Sequence, residues 1–488
     1  MSTYRCRAVV RWRRTLSFQP KTPHAPTLEE ITPKLFTVIH STKTKKSGRY
    51  NSALAILAIV LTMAHIYIEW IGGPTVWGVV LLSTVVPMRF YYLTRISIYS
   101  NTTSLLVWLY TDIAFLLGPA ISKLLSGEEY LLNANTMTAI RLGIVCLFVI
   151  GAITIPWLGA KREKANVQNT QHWLPLGAGV VNALVLSVGI TAITASIVAY
   201  SFGAVGLGGF KNSLPLRLTG ILHHFRLDAV PFLFIVLIDI LYEKGKSKKI
   251  YILLAVYTLF TGLESWIRLS RGQILNNAFP ILLWSIYRGI MRVSWLWYLV
   301  PIPALTVILY PYVTIYRRVG SIPENIPITI SDTINSIIRR IFIRSTEDIT
   351  QFVPYVSDSK FVQRIGKLIE HGGTVPYHTH VIDGIPESVP HGSGVTAYSD
   401  AYLIGGTPFT VVTALVIALL AIGIDKKWFR SVTATPAGRA LLSYYVYTAL
   451  VGGLWHQWIF EDIGVIMVWP TLYLFHHVLC NSRKYHRV

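Results

Sequence analysis

SALAILAIVLTMAHIYIEWI, residues 52–71, decides the fold. It supplies about the 20 apolar residues that a helix needs to cross a bilayer. Runs of similar character recur along the chain, giving about 12 candidate spans. They lie near 52–71, 75–93, 104–124, 138–159, 174–200, 229–243, 250–266, 273–290, 294–315, 401–424, 437–457 and 462–480. The expected fold class is an all-α polytopic membrane protein. The domain layout is a basic cytoplasmic tail (1–50), membrane helices 1–9 (51–315), a long extracytoplasmic loop (316–400), and membrane helices 10–12 with a short cytoplasmic tail (401–488).

Composition agrees with that reading. The 488 residues are 52% hydrophobic and only 14% charged, with a mean hydropathy of +0.50, whereas soluble domains carry roughly 25% charged residues. The net charge of +21 does not call for nucleic acid, because much of it sits in the N-terminal tail and short loops. Anionic lipid and the positive-inside rule account for it. Aromatic residues at 12% suit interfacial belts. Cys6, Cys146 and Cys480 are far apart and show no metal spacing, so neither a disulfide nor a zinc site is expected. No apolar core follows the first arginines, so the N-terminus does not read as a cleavable signal peptide.

Orientation follows from lysine and arginine in short loops. Arg89 and Arg95 follow the second span, Lys161, Arg162 and Lys164 the fourth, and Lys244, Lys246, Lys248 and Lys249 the sixth. Arg288 and Arg292 follow the eighth, Lys426, Lys427 and Arg430 the tenth, and Arg483, Lys484 and Arg487 close the chain. With alternating spans, all face the side of the N-terminus. Both termini are then cytoplasmic.

Two long loops, 201–228 and 316–400, then face outward and break the charge rule. The first carries Lys211, Arg217 and Arg226, the second Arg317, Arg318, Arg339, Arg340 and Arg344. A short outer turn between them holds Glu264, Arg268 and Arg271. Outward arginines at membrane level are costly unless something offsets them, and their fork of donors suits diphosphate or carboxylate oxygens. Each has a structural alternative. Arg268 and Arg271 could snorkel to lipid phosphates or pair with Glu264, and Arg217 and Arg226 could pair with Asp228 or contact lipid. The segment 331–353 reads as an amphipathic helix at the interface, capped by Ser331 or Asp332, with Arg344 followed at once by Ser345-Thr346-Glu347-Asp348, which could orient it.

The piece HGGTVPYHTHVIDGIPESVPHG (371–392) supplies His371, His378, His380 and His391. Without a His-Glu-x-x-His helix they read as a general base or loop polarity rather than metal ligands. Asp400 sits where the loop re-enters the membrane and could instead belong to that helix's cap. Asp112 and Asp239 lie inside spans with no evident partner, which keeps transport open as an alternative. No cofactor motif is present, so none is expected.

Together these features resemble the bacterial oligosaccharide repeat-unit polymerases, the O-antigen (Wzy-type) polymerase family. The resemblance rests on many spans with two long outer loops, on Ser270-Arg271-Gly272 at a span boundary, and on Ser399-Asp400-Ala401-Tyr402-Leu403-Ile404-Gly405-Gly406 at the loop exit. It covers roughly residues 200–480. It implies a GT-C-like fold and a site at the outer face of the bacterial cytoplasmic membrane. A growing glycan would pass there from its polyprenyl diphosphate to another lipid-linked repeat unit. Arg217, Arg226, Arg268, Arg271 and Arg344 would hold diphosphate or anionic sugar, and His378, His380, Glu347 or Asp400 would act as base. The partners implied are the lipid-linked oligosaccharide, membrane lipids and a protein that controls chain length. The alternatives are a flippase for lipid-linked oligosaccharides and an O-antigen ligase.

Overall fold

The structure is a computed structural model and describes residues 43–73, 75–126, 132–158, 178–201, 226, 229–268, 271–290, 343–357, 359–386, 395–429, 433 and 435–456. Among these there are helices, turns and bends, with no strand. The chain divides into a short unit, Met1–Ala53, and a unit of Leu54–Val488 that contains both hydrophobic cores.

The helices in chain order are α1 (Lys43–Ile71), α2 (Val76–Arg95), α3 (Thr102–Asp112), α4 (Gly118–Ser126), α5 (Ala134–Leu158), α6 (Ala178–Ser201) and α7 (Val230–Glu243). They continue with α8 (Ser247–Arg268), α9 (Arg271–Tyr287), α10 (Arg344–Ser357), α11 (Phe361–Glu370), α12 (Thr374–Tyr377), α13 (Ala397–Asp425) and α14 (Pro436–Gly452). Local chemistry sets the starts. Thr75 and Thr435 accept from the backbone N–H three residues on, at 3.0 and 3.1 Å. Thr396 and Ser399 form a reciprocal capping box at the head of α13.

Six helical stretches are long and apolar enough to cross a membrane: Ser52–Ile71, Val76–Arg95, Thr102–Leu124, Ala134–Leu158, Gly179–Val198 and Ala397–Asp425. Large apolar side chains remain exposed on them, Met63 at 61%, Val76 at 80% and Leu186 at 65%. Lipid tolerates such faces where water does not. The protein is therefore a polytopic membrane protein. The expected spans near 229–243, 250–266, 273–290 and 437–457 also appear as helices α7, α8, α9 and α14. Those near 294–315 and 462–480 lie outside the described residues.

Two cores form. One gathers α1, α2, α3, α5, α10 and α13 around Tyr92, Trp108, Phe115 and Phe352, and the other gathers α6, α7, α8 and α9 around Phe234, Tyr257 and Trp284. Helix α14 joins them. Its Ala437, Ala440 and Leu441 pack in the second core, and its Val446, Ala449 and Leu450 in the first. Gly143 on α5 lets the π-helical turn Ile113–Leu117 that follows α3 approach closely, since a Cβ there would stand 2.0 Å from the Phe115 ring.

Buried charge corrects two sequence expectations. Asp112 and Asp239 do have partners. Fully buried Arg89 grips Asp112 with Nε at 2.8 Å and Nη2 at 2.7 Å, and Trp108 Nε1 adds a third donor at 3.2 Å. Arg288 bonds Asp239 at 2.5 Å and Glu243 at 2.9 Å, with Trp284 Nε1 on Asp239 at 2.6 Å. Arg89 is thus an intrabundle cation within α2 rather than a loop charge following it. Spacing along the sequence could not reveal partners 23 and 49 positions away.

Asp425, at the end of α13, answers the open N-terminus of α3. It accepts from Thr103 N at 3.1 Å, Ser104 N at 2.8 Å and Ser104 Oγ at 2.6 Å. Tyr287 OH reaches the same carboxylate at 3.2 Å and Ser443 Oγ at 2.9 Å. Arg439 lies over the Tyr287 ring at 4.6 Å. The beginnings of α3 and α14 and the ends of α9 and α13 therefore meet on one side of the bundle.

Removing one member of a buried pair leaves its partner's charge uncompensated, at a cost of about 3–5 kcal/mol. Arg89→Leu should therefore lower the thermal midpoint of the detergent-solubilised protein substantially, and adding Asp112→Leu should recover most of the loss. A double variant no more stable than the single one would show that the pair is not the stabilising unit.

Candidate functional site

The part of the long loop that the structure describes is folded, and it packs into the bundle. Helix α10 begins at Arg344 and lies against α5 and α13, with Ser345, Thr346, Asp348, Ile349 and Phe352 buried. The expected amphipathic helix is therefore real at its C-terminal part, but it is embedded rather than lying flat with a wet face; residues 331–342 lie outside the described set. Its seat is prepared by a π-helical turn, Ile113–Leu117, between α3 and α4. Widening the turn alters the carbonyl ladder, and Ala114 O accepts the Thr346 hydroxyl at 2.9 Å.

Around that seat the hydroxyls form a chain. Tyr110 OH stands 3.4 Å from Ser345 Oγ, Ser345 Oγ donates to Thr396 Oγ1 at 3.0 Å, and Ser399 Oγ donates to Asp348 Oδ2 at 3.0 Å. Arg344 Nε lies 3.8 Å from the same carboxylate. Asp348 is only 5% exposed, and burial pushes its carboxyl up to about 7. The Arg344 charge and the Ser399 hydrogen bond draw it down, while Glu347 and Asp383 push it further up. A carboxyl poised near neutrality can both take and give a proton.

His378 faces the same helix from a second π-turn, His378–Ile382. Its Nε2 is 3.3 Å from Gln351 Oε1 and 3.5 Å from Asp383 Oδ1, and its ring meets Phe352 edge-on at 4.8 Å. Burial, with the Arg344 charge adding to it, lowers the imidazole to about 4 against the opposing pull of Asp383, so the ring is neutral at pH 7. With Nε2–H turned to oxygen, Nδ1 carries the lone pair. That atom is buried and has no hydrogen-bond partner among the described residues. It is a base without a proton to hold.

The remaining expected site residues fall in different places. Glu347 stands half-buried on the first turn of α10 beside Asp348. His380 uses Nδ1 on its own loop, donating to Ile385 O at 2.7 Å and closing the turn. Asp400 is fully buried, and its Oδ2 accepts from His456 N at 2.7 Å. It thereby fixes the turn after α14. Gly453 makes room for it at φ +85°, where a Cβ would come within 2.8 Å of Val395. Asp400 Oδ1 has no partner at hydrogen-bond geometry among the described residues, although Thr374 lies close enough to polarise the carboxyl.

Arg226 is buried, with Nε 2.9 Å from Glu264 Oε1 and Nη2 on Glu264 Oε2. The expected anion ligand is thus one half of an internal ion pair with Glu264, while Asp228, its other expected partner, lies outside the described residues. Arg268 closes α8 and Arg271 opens α9, which puts both at one helix junction. Their side chains, with Arg217 and His391, lie outside the described residues. Ser399 and Gln351 were missed by sequence reading, and Asp348 was read only as part of the Ser345–Asp348 run that could orient Arg344. The adjacent acid in Ser345–Asp348 was the one available signal. Among the described residues no three His, Cys, Asp or Glu side chains converge as a metal-ligand set.

The Asp348 carboxyl gives a pH test. Unfolded, it titrates near 4, and folded, near 7. Ionisation is then easier in the unfolded chain, so its contribution to stability is present below about pH 4 and lost as pH rises to about 7, by up to a few kcal/mol. Against Asp348→Asn, the wild-type midpoint should fall between pH 5 and pH 8. A wild type that gains on the variant over that window would mean that the fold prefers the ionised form.

No protein-family model, curated protein or solved structure matches this chain, so the site is read from its own geometry.

Proposed function

We propose that the protein is a membrane glycosyltransferase that polymerises oligosaccharide repeat units carried on polyprenyl diphosphate, at the outer face of a bacterial cytoplasmic membrane. The observation that carries this reading is the junction of α10, the His378 turn and the head of α13. It sets a near-neutral carboxyl, an unprotonated imidazole nitrogen and an arginine together at the end of a membrane bundle. The hydroxyl chain and α13's head belong to the side opposite Asp425. That side faces outward if the lysine-rich loops, including Lys244 to Lys249 and Lys426 to Lys427, are cytoplasmic. Both termini are then cytoplasmic, within a 12-span, GT-C-like arrangement.

In this reading an acceptor sugar hydroxyl attacks the anomeric carbon of the donor glycan. A new glycosidic C–O bond forms, and the bond from that carbon to the diphosphate oxygen breaks, with its electron pair leaving on the diphosphate. The hydroxyl proton passes to Asp348 or to His378 Nδ1. Arg344 neutralises charge on the leaving diphosphate, with Arg268 and Arg271 contributed from the α8–α9 junction and Arg217 from the first outer loop. No nucleotide or metal enters the step as written. A partner controlling chain length belongs to the same reading.

Flippase and ligase are the competing assignments. The flippase reading leaned on unpaired acids at mid-depth, and Asp112 and Asp239 are both engaged by arginine. The ligase shares the donor chemistry and differs in acceptor.

The deciding measurement is surface-glycan length on a gel, in a deletion strain complemented with wild type, Asp348→Asn or His378→Gln at matched protein level. The expected result is a ladder with wild type, and a single attached repeat unit with the deletion and with Asp348→Asn. His378→Gln should reduce the ladder strongly. Loss of all surface glycan on deletion with lipid-linked single units inside would make the protein a flippase. Long lipid-linked chains outside would make it a ligase.

A further inference from the structure

Helix α13 is broken at Gly406, whose φ is 66° and ψ −157°, and Pro408 follows. Proline has no N–H to give the carbonyl four residues back, which frees Ile404 O. Arg364 of α11 takes it, with Nε at 3.4 Å. The same guanidinium caps the end of α10, with Nη1 on Val356 O at 3.0 Å and on Ser359 O. Three of its five N–H donors are thereby committed to backbone oxygens. The two on Nη2 have no partner among the described residues, and no carboxylate there pairs with the charge.

Beside this fixed cation lies a cleft of about 230 Å³, lined among others by Tyr355, Ser359, Arg364, Lys367, Leu368 and Tyr377. No acidic side chain is in its described lining. Lys367 is one turn from Arg364 and exposed, and its ammonium has no hydrogen bond or ion pair among the described residues. The Tyr355 and Tyr377 phenols are close enough to influence each other. The cleft is thus a concentration of donors and positive charge.

The flank of α11 next to the cleft is apolar and uncovered. Phe361 is 53% exposed, Val362 78% and Ile369 65%. On the helical wheel they form one arc with half-buried Ile365, while Arg364 and Lys367 sit on the adjacent arc. Cations beside an uncovered apolar face are the signature of a helix lying in the headgroup–acyl boundary. In a multi-span protein that boundary is at hand.

We propose that this cleft holds the headgroup phosphate of an anionic phospholipid, with α11 lying in the membrane boundary and its apolar arc among the acyl chains. The phosphate oxygens would meet Nη2 of Arg364 and Nζ of Lys367. A net-neutral choline headgroup would place its own cation against theirs. The inference is independent of the polymerase reading, since it concerns the lipid around the protein and not the donor.

Lys367→Gln is the variant to test, because Lys367 holds no other group, whereas Arg364 also caps two helix ends. Full-length protein in detergent is titrated with phosphatidylglycerol, phosphatidylcholine or inorganic pyrophosphate, following the thermal midpoint. Phosphatidylglycerol should raise the wild-type midpoint and phosphatidylcholine should not. Lys367→Gln should start from the wild-type midpoint and need about fivefold more phosphatidylglycerol for half the rise, and Lys367→Arg should restore the wild-type titration. An equal response to both lipids, or an unchanged titration in Lys367→Gln, overturns the proposal. So does pyrophosphate alone saturating the same rise, which would make the ligand a free phosphate.

Discussion

A charge placed in an apolar bundle must be answered by protein atoms, because neither lipid nor water is there to do it. That constraint organises this molecule. Asp425 takes the unpaired N–H groups of α3 and a tyrosine from α9, and Ser443 of α14 bonds the same tyrosine. The carboxylate thereby fixes where four helices meet. Arg89 with Asp112, Arg226 with Glu264, and Arg288 with Asp239 and Glu243 repeat the solution elsewhere. Each such pair adds little net stability over apolar packing, but each is strongly unfavourable to break, so together they specify which helices are neighbours.

The second organising feature is the use of helix defects. A regular membrane helix keeps its backbone polar groups to itself and offers nothing for a loop to hold. The π-turn at Ile113–Leu117 accompanies a carbonyl bond to Thr346, and Gly406 with Pro408 frees Ile404 O for Arg364. Both attach parts of the long loop to the bundle. The irregular backbone faces protein, where its polar groups find partners.

Docking the loop in this way has chemical consequences. Asp348 would be an ordinary surface acid on a free amphipathic helix, with Arg344 one turn away. Packed against α5 and α13 it loses water, gains Ser399, and becomes a group that titrates near neutrality. His378 is desolvated by the same packing and keeps an open nitrogen. Reactivity here comes from burial of common residues. The proposed polymerase chemistry uses that property, and the cleft at Arg364 and Lys367 suggests how the loop meets the bilayer around it.

The apolar runs by themselves determined that the protein is helical and polytopic, and ten of the expected spans fall on described helices, the third of them divided into α3, a π-turn and α4. Hydropathy and span length act within a single segment, so a sequence carries them openly. The lysine-rich short loops likewise imply an orientation. The candidate acids, histidines and Arg344 were legible as residue types in the right loop. Which of them matter was not. His380 spends its nitrogen on its own turn, Asp400 on the exit of α14, and Arg226 on Glu264, while Asp348 and Ser399 drew no notice as a pair 51 positions apart. Only the tertiary structure decided those partnerships, because hydrogen bonding and desolvation depend on distance in space, and separation along the chain says little about it.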